Sequence, residues 1–507
     1  MPTDPGYPVN SSNVTVRVLP EILGAICSHL TIEDLFSASR VCRYWRSILI
    51  SSPSLWTRFP CRHVPETITS LERCGTMSIR LRFGPQSSTA AVENVLLHGN
   101  KIASLSVHND ANRMPLMCRL FTSSRSSVEQ LHIYSKRVTG WRIQGQTAHE
   151  IWNDFPSLRE LFVCRYTIPI HRLTAPNLIH LALEHTGYRQ NIMVQSILDM
   201  LRNCPLLETL LIADSGIRQD PTGRDHSPVP LPHLRSIKLS ADEVRSGLET
   251  YLQFPRHVAA GFRMLSMIDP DARGDVPLTA IIAIRHMLRR IDIHHITLAV
   301  PSDPRCPLEL LIRFEGLQGS LETTVYCVDH PRLLDFLFGS GGVLSSLSQR
   351  IENVKELHIV GCSFDDDQEL EHISVAMPNL ASISFFDCEG PHVFGLLIPT
   401  DPLSPPFPHL DRVMVLGLEL GLGGMAETRR NCGVPLKTVV IGRGPSRSEY
   451  GHQEDYAALG EFVGDLRVGC PTEIVEWGTE NEILNTWSTI KVPGPVSLKN
   501  KGFIVLG

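Results

Sequence analysis

Histidines and cysteines are the side chains of this sequence best suited to chemistry, but their spacing does not match a known kind of site. His294 and His295 are adjacent, so from a helix they cannot both face one metal ion, and a strand end suits them better. His132, His180 and His358 lie within alternating apolar segments, which places them on the outer, solvent-exposed face of a sheet. The thirteen cysteines are scattered, with no C-x-x-C pair and no partner at metal-ligand spacing. We therefore predict no catalytic residues and no metal site.

Two further stretches could bind ions or phosphates. Asp365-Asp366-Asp367 is the longest acidic run, a pattern more typical of a solvated loop than of a metal site. The glycine-rich stretch 421–426 superficially matches a dinucleotide fingerprint, but it lacks the strand–turn–helix context and an acidic residue about 20 positions on. A P-loop and a G-x-S-x-G nucleophile elbow are absent from the sequence. We predict a non-enzymatic protein without cofactors. An enzyme whose site lies in the unpatterned region 240–350, or one that uses a cysteine for thiol transfer, is the alternative.

Composition and charge exclude several classes of partner. The chain has 507 residues, a formal net charge of −6 and a pI near 6.4, so it has no general attraction for nucleic acid. It contains no run of the roughly 20 apolar residues that a membrane helix needs, so we expect no membrane partner. Residues 1–13 have neither a basic start nor an apolar run, which is unlike a signal peptide, and we expect residues 1–15 to be disordered. Reduced thiols, and hence the cytoplasm or nucleus, fit this composition.

The most patterned stretch is residues 17–59, whose apolar spacing predicts three short helices. Pro20 suits a first helical position, and Thr31, with Asp34 three residues on, predicts the N-cap of the second helix. The third helix should end before Pro53, because proline disfavours helix in the preceding residue. The apolar stripes of the three helices comprise Ile22, Leu23, Ile26, Cys27 and Leu30, then Leu35 and Phe36, then Val41, Trp45, Ile48 and Leu49.

Three helices of this length enclose little core, so apolar surface should remain uncovered. Leu55 and Trp56 follow the third helix, and we expect this pair to be exposed. The surplus apolar surface comprises Leu19, Leu23, Trp45, Leu55 and Trp56. Either the rest of the chain or a partner protein covers this surface, and the pattern alone favours neither.

The same stretch resembles an F-box. Leu19-Pro20, the spaced aliphatic residues, the run Val41-Cys42-Arg43-Tyr44-Trp45 and the downstream Trp56 follow that family's pattern in order and spacing. The chain is also similar to the large, divergent F-box-like families of mushroom-type fungi. This resemblance covers under a tenth of the chain. It implies docking onto the Skp-type adaptor of SCF (Skp–cullin–F-box) ubiquitin ligases. It also implies that the adaptor contact or its support comprises Leu19, Pro20, Ile22, Leu23, Ile26, Leu30, Leu35, Val41, Cys42, Trp45, Leu49, Leu55 and Trp56.

Beyond Phe59 the sequence repeats a short phrase, P-x-Φ-x-x-Φ-x-Φ, in which Φ is apolar and the proline is sometimes absent. Its central apolar residue recurs at intervals of 20 to 30, at positions 105, 131, 161, 181, 210 and 237 and again at 357, 383, 413 and 439. This period and phrase are typical of leucine-rich repeats. Within the gap between 237 and 357, weaker candidates at Leu265, Ile296 and Thr324 indicate that the array continues.

We therefore predict an α/β fold, with a three-helix F-box-like domain at 16–60 and an irregular leucine-rich-repeat solenoid at 61–470. Its parallel strands should line the concave side, and the amphipathic segments 191–201 and 333–337 suit helices on the other side. A stacked α/β domain of another kind is the alternative. The remaining expected features are surface loops at 219–232, 401–408 and 417–424 and a C-terminal capping segment at 471–507.

An F-box-like segment directly before leucine-rich repeats is the order found in the F-box/leucine-rich-repeat family. The resemblance implies a substrate-recognition subunit that docks a Skp-type adaptor, and through it a cullin ligase, while the repeats bind a protein substrate. Which substrate the repeats bind is not indicated by the sequence. The alternative is a scaffold in which the array binds a partner and no ubiquitin is involved.

Overall fold

A computed structural model describes the residues 18–109, 114–139, 154–166, 170–186, 192–219, 226–240, 243, 246–255, 257–264, 288, 291–299, 309–316, 319–326, 351–361, 373–386, 388, 394, 397–399, 405–416, 421–442 and 459–468. The expected disordered segment 1–15, the expected helix 333–337, the acidic run 365–367 and the expected capping segment 471–507 lie outside these residues.

Helices occupy the N-terminal stretch and then alternate with strands. The helices are α1 (Pro20–Cys27), α2 (Ile32–Ala38), α3 (Arg43–Ile50), α4 (Val64–Cys74), α5 (Thr89–Leu96), α6 (Met114–Ser124), α7 (Val194–Arg202) and α8 (Leu422–Asn431), with 3-10 turns at Pro53–Trp56, Gly99–Lys101, Ile170–Arg172 and Leu248–Tyr251. The three predicted N-terminal helices are confirmed, and Pro20 takes the first helical position of α1. The predicted helix at 191–201 is α7, preceded by a short strand.

The strands follow at short intervals. They are β1 (Arg58–Pro60), β2 (Ile79–Phe83), β3 (Ile102–Asn109), β4 (Gln130–Thr139), β5 (Glu160–Tyr166), β6 (His180–Glu184), β7 (Ile192–Met193), β8 (Thr209–Ala213), β9 (Ile217–Arg218), β10 (Val229–Pro230), β11 (Ser236–Ser240), β12 (Leu252–Gln253), β13 (Ala259–Met264), β14 (Ile293–Ala299), β15 (Glu309–Gly316), β16 (Gly319–Tyr326), β17 (Glu356–Val360), β18 (Ser382–Phe386), β19 (Arg412–Leu416), β20 (Thr438–Gly442) and β21 (Asp465–Val468). The chain forms two compact units, unit 1 at 1–225 with 229–231 and unit 2 at 226–228 with 232–507.

In unit 1 a parallel sheet runs in chain order through β1, β2, β3, β4, β5, β6 and β8. The central apolar residues of the repeated phrase are register partners, and all are buried because alternation turns the same face of each strand inward. The row comprises Phe59, Leu81, Leu105, Leu131, Leu161, Leu181 and Leu210. Its first two members escape a search for the phrase, since Ser78 and Cys61 stand where the phrase requires large apolar residues.

Unit 2 has a row of its own, but its strands do not follow the chain order. Its strands lie in the order β11, β13, β16, β15, β14, β17, β18, β19, β20 and β21, and β15 pairs antiparallel with both neighbours. Ile296 belongs to the row, as predicted. Thr324 does not, because Leu321 is the residue in register with Ala260, and Leu265 lies outside the described residues. The row comprises Ile237, Ala260, Leu321, Phe314, Ile296, Leu357, Ile383, Val413, Val439 and Leu466.

The predicted glycine-rich loop at 417–424 is partly wrong. Gly421 has a φ of 96° and directly precedes α8, whose first turn contains Gly423 and Gly424. Leu422, Met425 and Ala426 are spaced as on one helical face and are buried, so core packing outweighs the poor helix propensity of glycine.

The predicted fold class is confirmed: N-terminal helices precede long, mainly parallel sheets, an arrangement consistent with a leucine-rich-repeat solenoid. Within the described ranges, none of the helices has both the length and the apolar character needed to cross a membrane.

Candidate functional site

Helix α1 presents apolar residues on two adjacent sides. Leu23 and Cys27 are buried where α1 packs on α3, and the Tyr44 hydroxyl on α3 donates a hydrogen bond to the Val18 carbonyl at 2.7 Å. The other side carries Leu19, Ile22 and Ile26, which are spaced three and four residues apart and are 60%, 50% and 53% exposed. We call these three residues the α1 face. It is a stripe of large aliphatic side chains that the described residues of unit 1 leave exposed.

Three further predicted contact residues are exposed close to the ends of the helices. Pro20 opens α1, Leu30 lies in the turn between α1 and α2, and Val41 lies just before α3. Ile50, at the end of α3, is also exposed and was absent from the predicted set. Ile50 lies outside the predicted apolar stripe of the third helix, so helical spacing gives no signal for it.

Five residues of the predicted set, which comprises the adaptor contact or its support, are buried: Leu23, Leu35, Leu49, Leu55 and Trp56. The expected exposure of the pair Leu55 and Trp56 is wrong. The 3-10 turn at Pro53–Trp56 directs the two side chains inward, because it brings the chain back against α3 and α4. Leu23 is likewise buried and does not belong to the surplus surface. The surplus apolar surface therefore comprises the α1 face together with Leu30, Val41 and Ile50.

Trp56 is held by three different contacts. Its indole N–H donates to the Leu49 carbonyl at 2.8 Å, and its ring meets the edge of Phe36 with centroids 5.2 Å apart. The guanidinium of Arg73, on α4, stands 4.1 Å from the centre of the indole ring, within range of a cation–π contact. Helix α4 lies beyond the predicted module boundary at residue 60, so the core of the N-terminal helices includes a later element.

Capping side chains set the starts of α2 and α3. The Thr31 hydroxyl accepts the Asp34 N–H at 3.2 Å and donates to the Asp34 carboxylate at 2.8 Å, which confirms the predicted N-cap. Cys42 caps α3, because its Sγ accepts the N–H of Trp45 at 3.4 Å. Cys42 and Trp45 are half-buried. The F-box pattern counts Cys42 only as an apolar position, so it does not predict the capping role of this residue.

The strand histidines are less exposed than expected. His132 and His358 are buried. Side chains of the next strand pack against His132, whose ring lies 2.9 Å from a Glu160 carboxylate oxygen and edge-on to Phe162. His180 is half-buried, with its Nδ1 at 2.9 Å from the Thr209 hydroxyl. These histidines lie on the outer face of the sheet, as predicted, but the prediction that they are exposed to solvent is wrong.

Two buried thiols, Cys61 and Cys204, and the half-buried thiol of Cys164 are poor nucleophiles. Burial raises the pKa of Cys61 and Cys204 to about 12, and burial with the nearby Glu184 carboxylate does the same for Cys164. These thiols are protonated at neutral pH, and thiolate is the reactive form.

Comparison with known proteins finds a family match over the stretch that contains the N-terminal helices. A model of the F-box-like family matches residues 20–62. A search of curated proteins finds no match. Among solved structures, the crystal structure of the Rad7 and Elc1 complex in yeast aligns with 86% of this chain and 88% of that chain, at 10% identity and a TM-score of 0.30, a likeness too low to carry an argument. The chain therefore contains an F-box-like domain at residues 20–62.

Proposed function

We propose that this protein is a substrate-recognition subunit of an SCF-type ubiquitin ligase, in which the α1 face docks a Skp-type adaptor. The observation that carries the proposal is the exposure of Leu19, Ile22 and Ile26 within the F-box-like domain. Aligned aliphatic side chains in contact with water are costly for a monomer and typical of protein interfaces. Pro20, Leu30 and Val41 extend this contact, whereas Leu23, Leu35, Leu49, Leu55 and Trp56 support it from inside.

The test measures binding of a purified Skp-type adaptor to the full chain. We expect Ile22→Ser with Ile26→Ser to weaken binding at least tenfold, since interface anchors are typically worth about 2 kcal/mol. Leu97→Ser is the matched control, because Leu97 is 81% exposed at the end of α5, and it should leave binding within about twofold. All three proteins should melt at similar temperatures. Unchanged binding by the double variant would remove the proposal.

The repeats would hold the substrate. On three neighbouring strands of unit 1 the half-buried rings of His108, Tyr134 and Phe162 share one face, with centroids 4.8 Å apart for His108 and Tyr134 and 4.9 Å for Tyr134 and Phe162. Partly exposed aromatic rings are frequent anchors in protein interfaces. We expect Tyr134→Ser to lose substrate from affinity purifications while the adaptor is retained.

Recovery of a cullin distinguishes the ligase from a scaffold. A purification of the wild-type chain that contains both adaptor and cullin supports the ligase role. Adaptor without cullin, over repeated purifications, would favour the scaffold.

A further inference from the structure

Three side chains with metal-ligating atoms meet on one face of two neighbouring strands in unit 2. Glu356 and His358 lie two residues apart on β17, so they point to the same side, and β14 places His295 opposite Glu356. His295 Nδ1 is 2.9 Å from Glu356 Oε2, and His358 Nε2 is 3.6 Å from the same oxygen. One ligand atom from each residue lies within 4.8 Å of those from the other two.

A β-bulge selects which of two adjacent histidines joins this cluster. Ile293 pairs with Gly316 and His295 pairs with Glu315, so His294 is the extra residue in β14. A bulge re-aims the side chains around it, and here it sets His295 in phase with Glu356. His294 lies instead 3.5 Å from the Asp292 carboxylate.

The donor set matches that of a zinc site. Two ligands at ~2.1 Å from a tetrahedral ion stand roughly 3.4 Å apart, and the separations of 2.9 and 3.6 Å between Glu356 and the two histidines lie on either side of that value. Two imidazoles and one carboxylate are the three protein ligands of zinc sites that keep a fourth position open. We propose that His295, Glu356 and His358 form a binding site for a zinc-class divalent cation. The site lies in unit 2 and is independent of the proposed adaptor docking.

The surroundings supply both a rigid base and an entrance. His358 is 1% exposed, and Ser384, its register partner on β18, is fully buried. Within the described part of the chain the Ser384 hydroxyl has no hydrogen-bond partner, and such a group can orient a ligand or a metal-bound water. The side chains of His295 and Glu356 are 37% and 39% exposed, which leaves a path for the ion and room for the fourth ligand.

Charges near the site act in both directions. The Glu356 carboxylate attracts a cation, whereas the nearby guanidinium of Arg412 repels it. Removal of Arg412 should therefore strengthen metal binding, an effect opposite to that of removing a ligand.

The experiment titrates Zn²⁺ into the full chain and follows heat and melting temperature. We expect one Zn²⁺ per chain and a rise in melting temperature, with affinity at least tenfold lower in His358→Ala and in the near-isosteric Glu356→Gln. Ser384→Ala should weaken binding and Arg412→Gln should strengthen it. His180→Ala, which removes a half-buried strand histidine from unit 1, is the control and should bind as wild type.

Co²⁺ spectra separate this site from binding to cysteines. A nitrogen and oxygen site gives visible bands without the near-ultraviolet charge-transfer band of thiolates. Equal Zn²⁺ affinity in wild type and Glu356→Gln, or a thiolate band that accounts for all bound Co²⁺, would overturn the proposal. If His358→Ala fails to fold, Glu356→Gln and Arg412→Gln decide the outcome, since they should shift affinity in opposite directions.

Discussion

At the scale of single residues, Trp56 is the largest fully buried side chain described in the F-box-like domain. It is fully buried, its N–H is paired with the Leu49 carbonyl, and its ring contacts Phe36 and Arg73. Its removal would leave a cavity that α3 and α4 cannot fill without moving. The role of Trp56 is thus to support the docking face rather than to form it.

We expect Trp56→Ala to lower the free energy of unfolding by roughly 3–5 kcal/mol, because it loses both apolar burial and a buried hydrogen bond. Ile22→Ala, on the exposed α1 face, should change that free energy by about 0.5 kcal/mol or less. Urea denaturation followed by circular dichroism measures both. A larger loss for Ile22→Ala than for Trp56→Ala would contradict this division into support and surface.

Glu249, in the 3-10 turn Leu248–Tyr251, makes unit 2 sensitive to pH. Burial raises the pKa of its carboxyl from about 4.5 to about 7, and among the described residues its Oε2 has no hydrogen-bond partner. The folded protein therefore holds this proton more tightly than the unfolded chain. The free energy of unfolding should fall as the pH rises from about 4.5 to about 7, and above that range the whole loss is present.

We expect Glu249→Gln to raise the free energy of unfolding by roughly 1–3 kcal/mol at about pH 8 and to change it little at about pH 4. The amide carries no charge that burial could penalise. Glu427→Gln, at an exposed position on α8, is the control and should show no such pH dependence. Urea unfolding at the two pH values is the measurement, and an equal effect of Glu249→Gln at both would refute the assignment.

The division of the F-box residues shows what the sequence could predict. The apolar stripe of helix α1 includes Ile22, Leu23, Ile26 and Cys27. Helical spacing predicts this stripe, but only the position of α3 decides that Leu23 and Cys27 are its buried part. The resemblance to F-boxes supplied the full set of residues, and packing separated surface from support.

At the scale of elements, the antiparallel strand β15 is the main departure from the repeat. Strands β15 and β16 pair antiparallel, and only two residues, Leu-Gln, separate Gly316 from Gly319 in the sequence. These two residues are not among the turn dipeptides that signal a hairpin. The repeated phrase does not encode strand direction, so a search for it alone missed the hairpin. The cluster of His295, Glu356 and His358 was also unpredictable, because pairing of β14 with β17 brings together residues far apart in sequence.

Two glycines of unit 2 should respond in opposite ways to the same substitution. A Cβ on Gly316 would clash with the backbone carbonyl of Asp292, so Gly316→Ala should lower the free energy of unfolding by about 1–3 kcal/mol. Gly423 lies within α8 with no atom in the way, so Gly423→Ala should raise it by up to about 1 kcal/mol. Thermal melting compares the two variants. A stabilising effect of Gly316→Ala would contradict the close approach of Gly316 to the Asp292 carbonyl.

At the scale of the whole molecule, each unit is a stack in which a strand contacts only its neighbours. Stability in such arrays is close to a sum of local terms and interfaces, so terminal strands open more easily than inner ones. In unit 2, β18 is buried along its whole length between β17 and β19, whereas the residues of β21 are exposed or half-buried.

We expect Ile383→Ala on β18 to lower the free energy of unfolding by about 2–5 kcal/mol, and Leu466→Ala on β21 to lower it by less than about 1.5 kcal/mol. Amide hydrogen exchange should show the slowest exchange in β18 and faster exchange in β21. The two strands differ in burial but share the same row of the sheet, which makes them a fair comparison. Equal protection of both strands would show that unit 2 opens as one cooperative block.

The contact between Trp56 and α4 has a consequence for how the F-box-like domain can be separated from the chain. A fragment that ends at residue 60 would lose the cover that Arg73 and α4 give to Trp56 and Phe36. A chain that starts at residue 61 would expose the side of α4 that packs against Trp56. Both fragments would expose apolar surface and tend to aggregate, and such aggregation would mimic partner binding in a capture assay. A fragment that extends through Cys74 keeps both Trp56 and the helix α4 that covers it. We expect it to be the shortest fragment that remains monomeric.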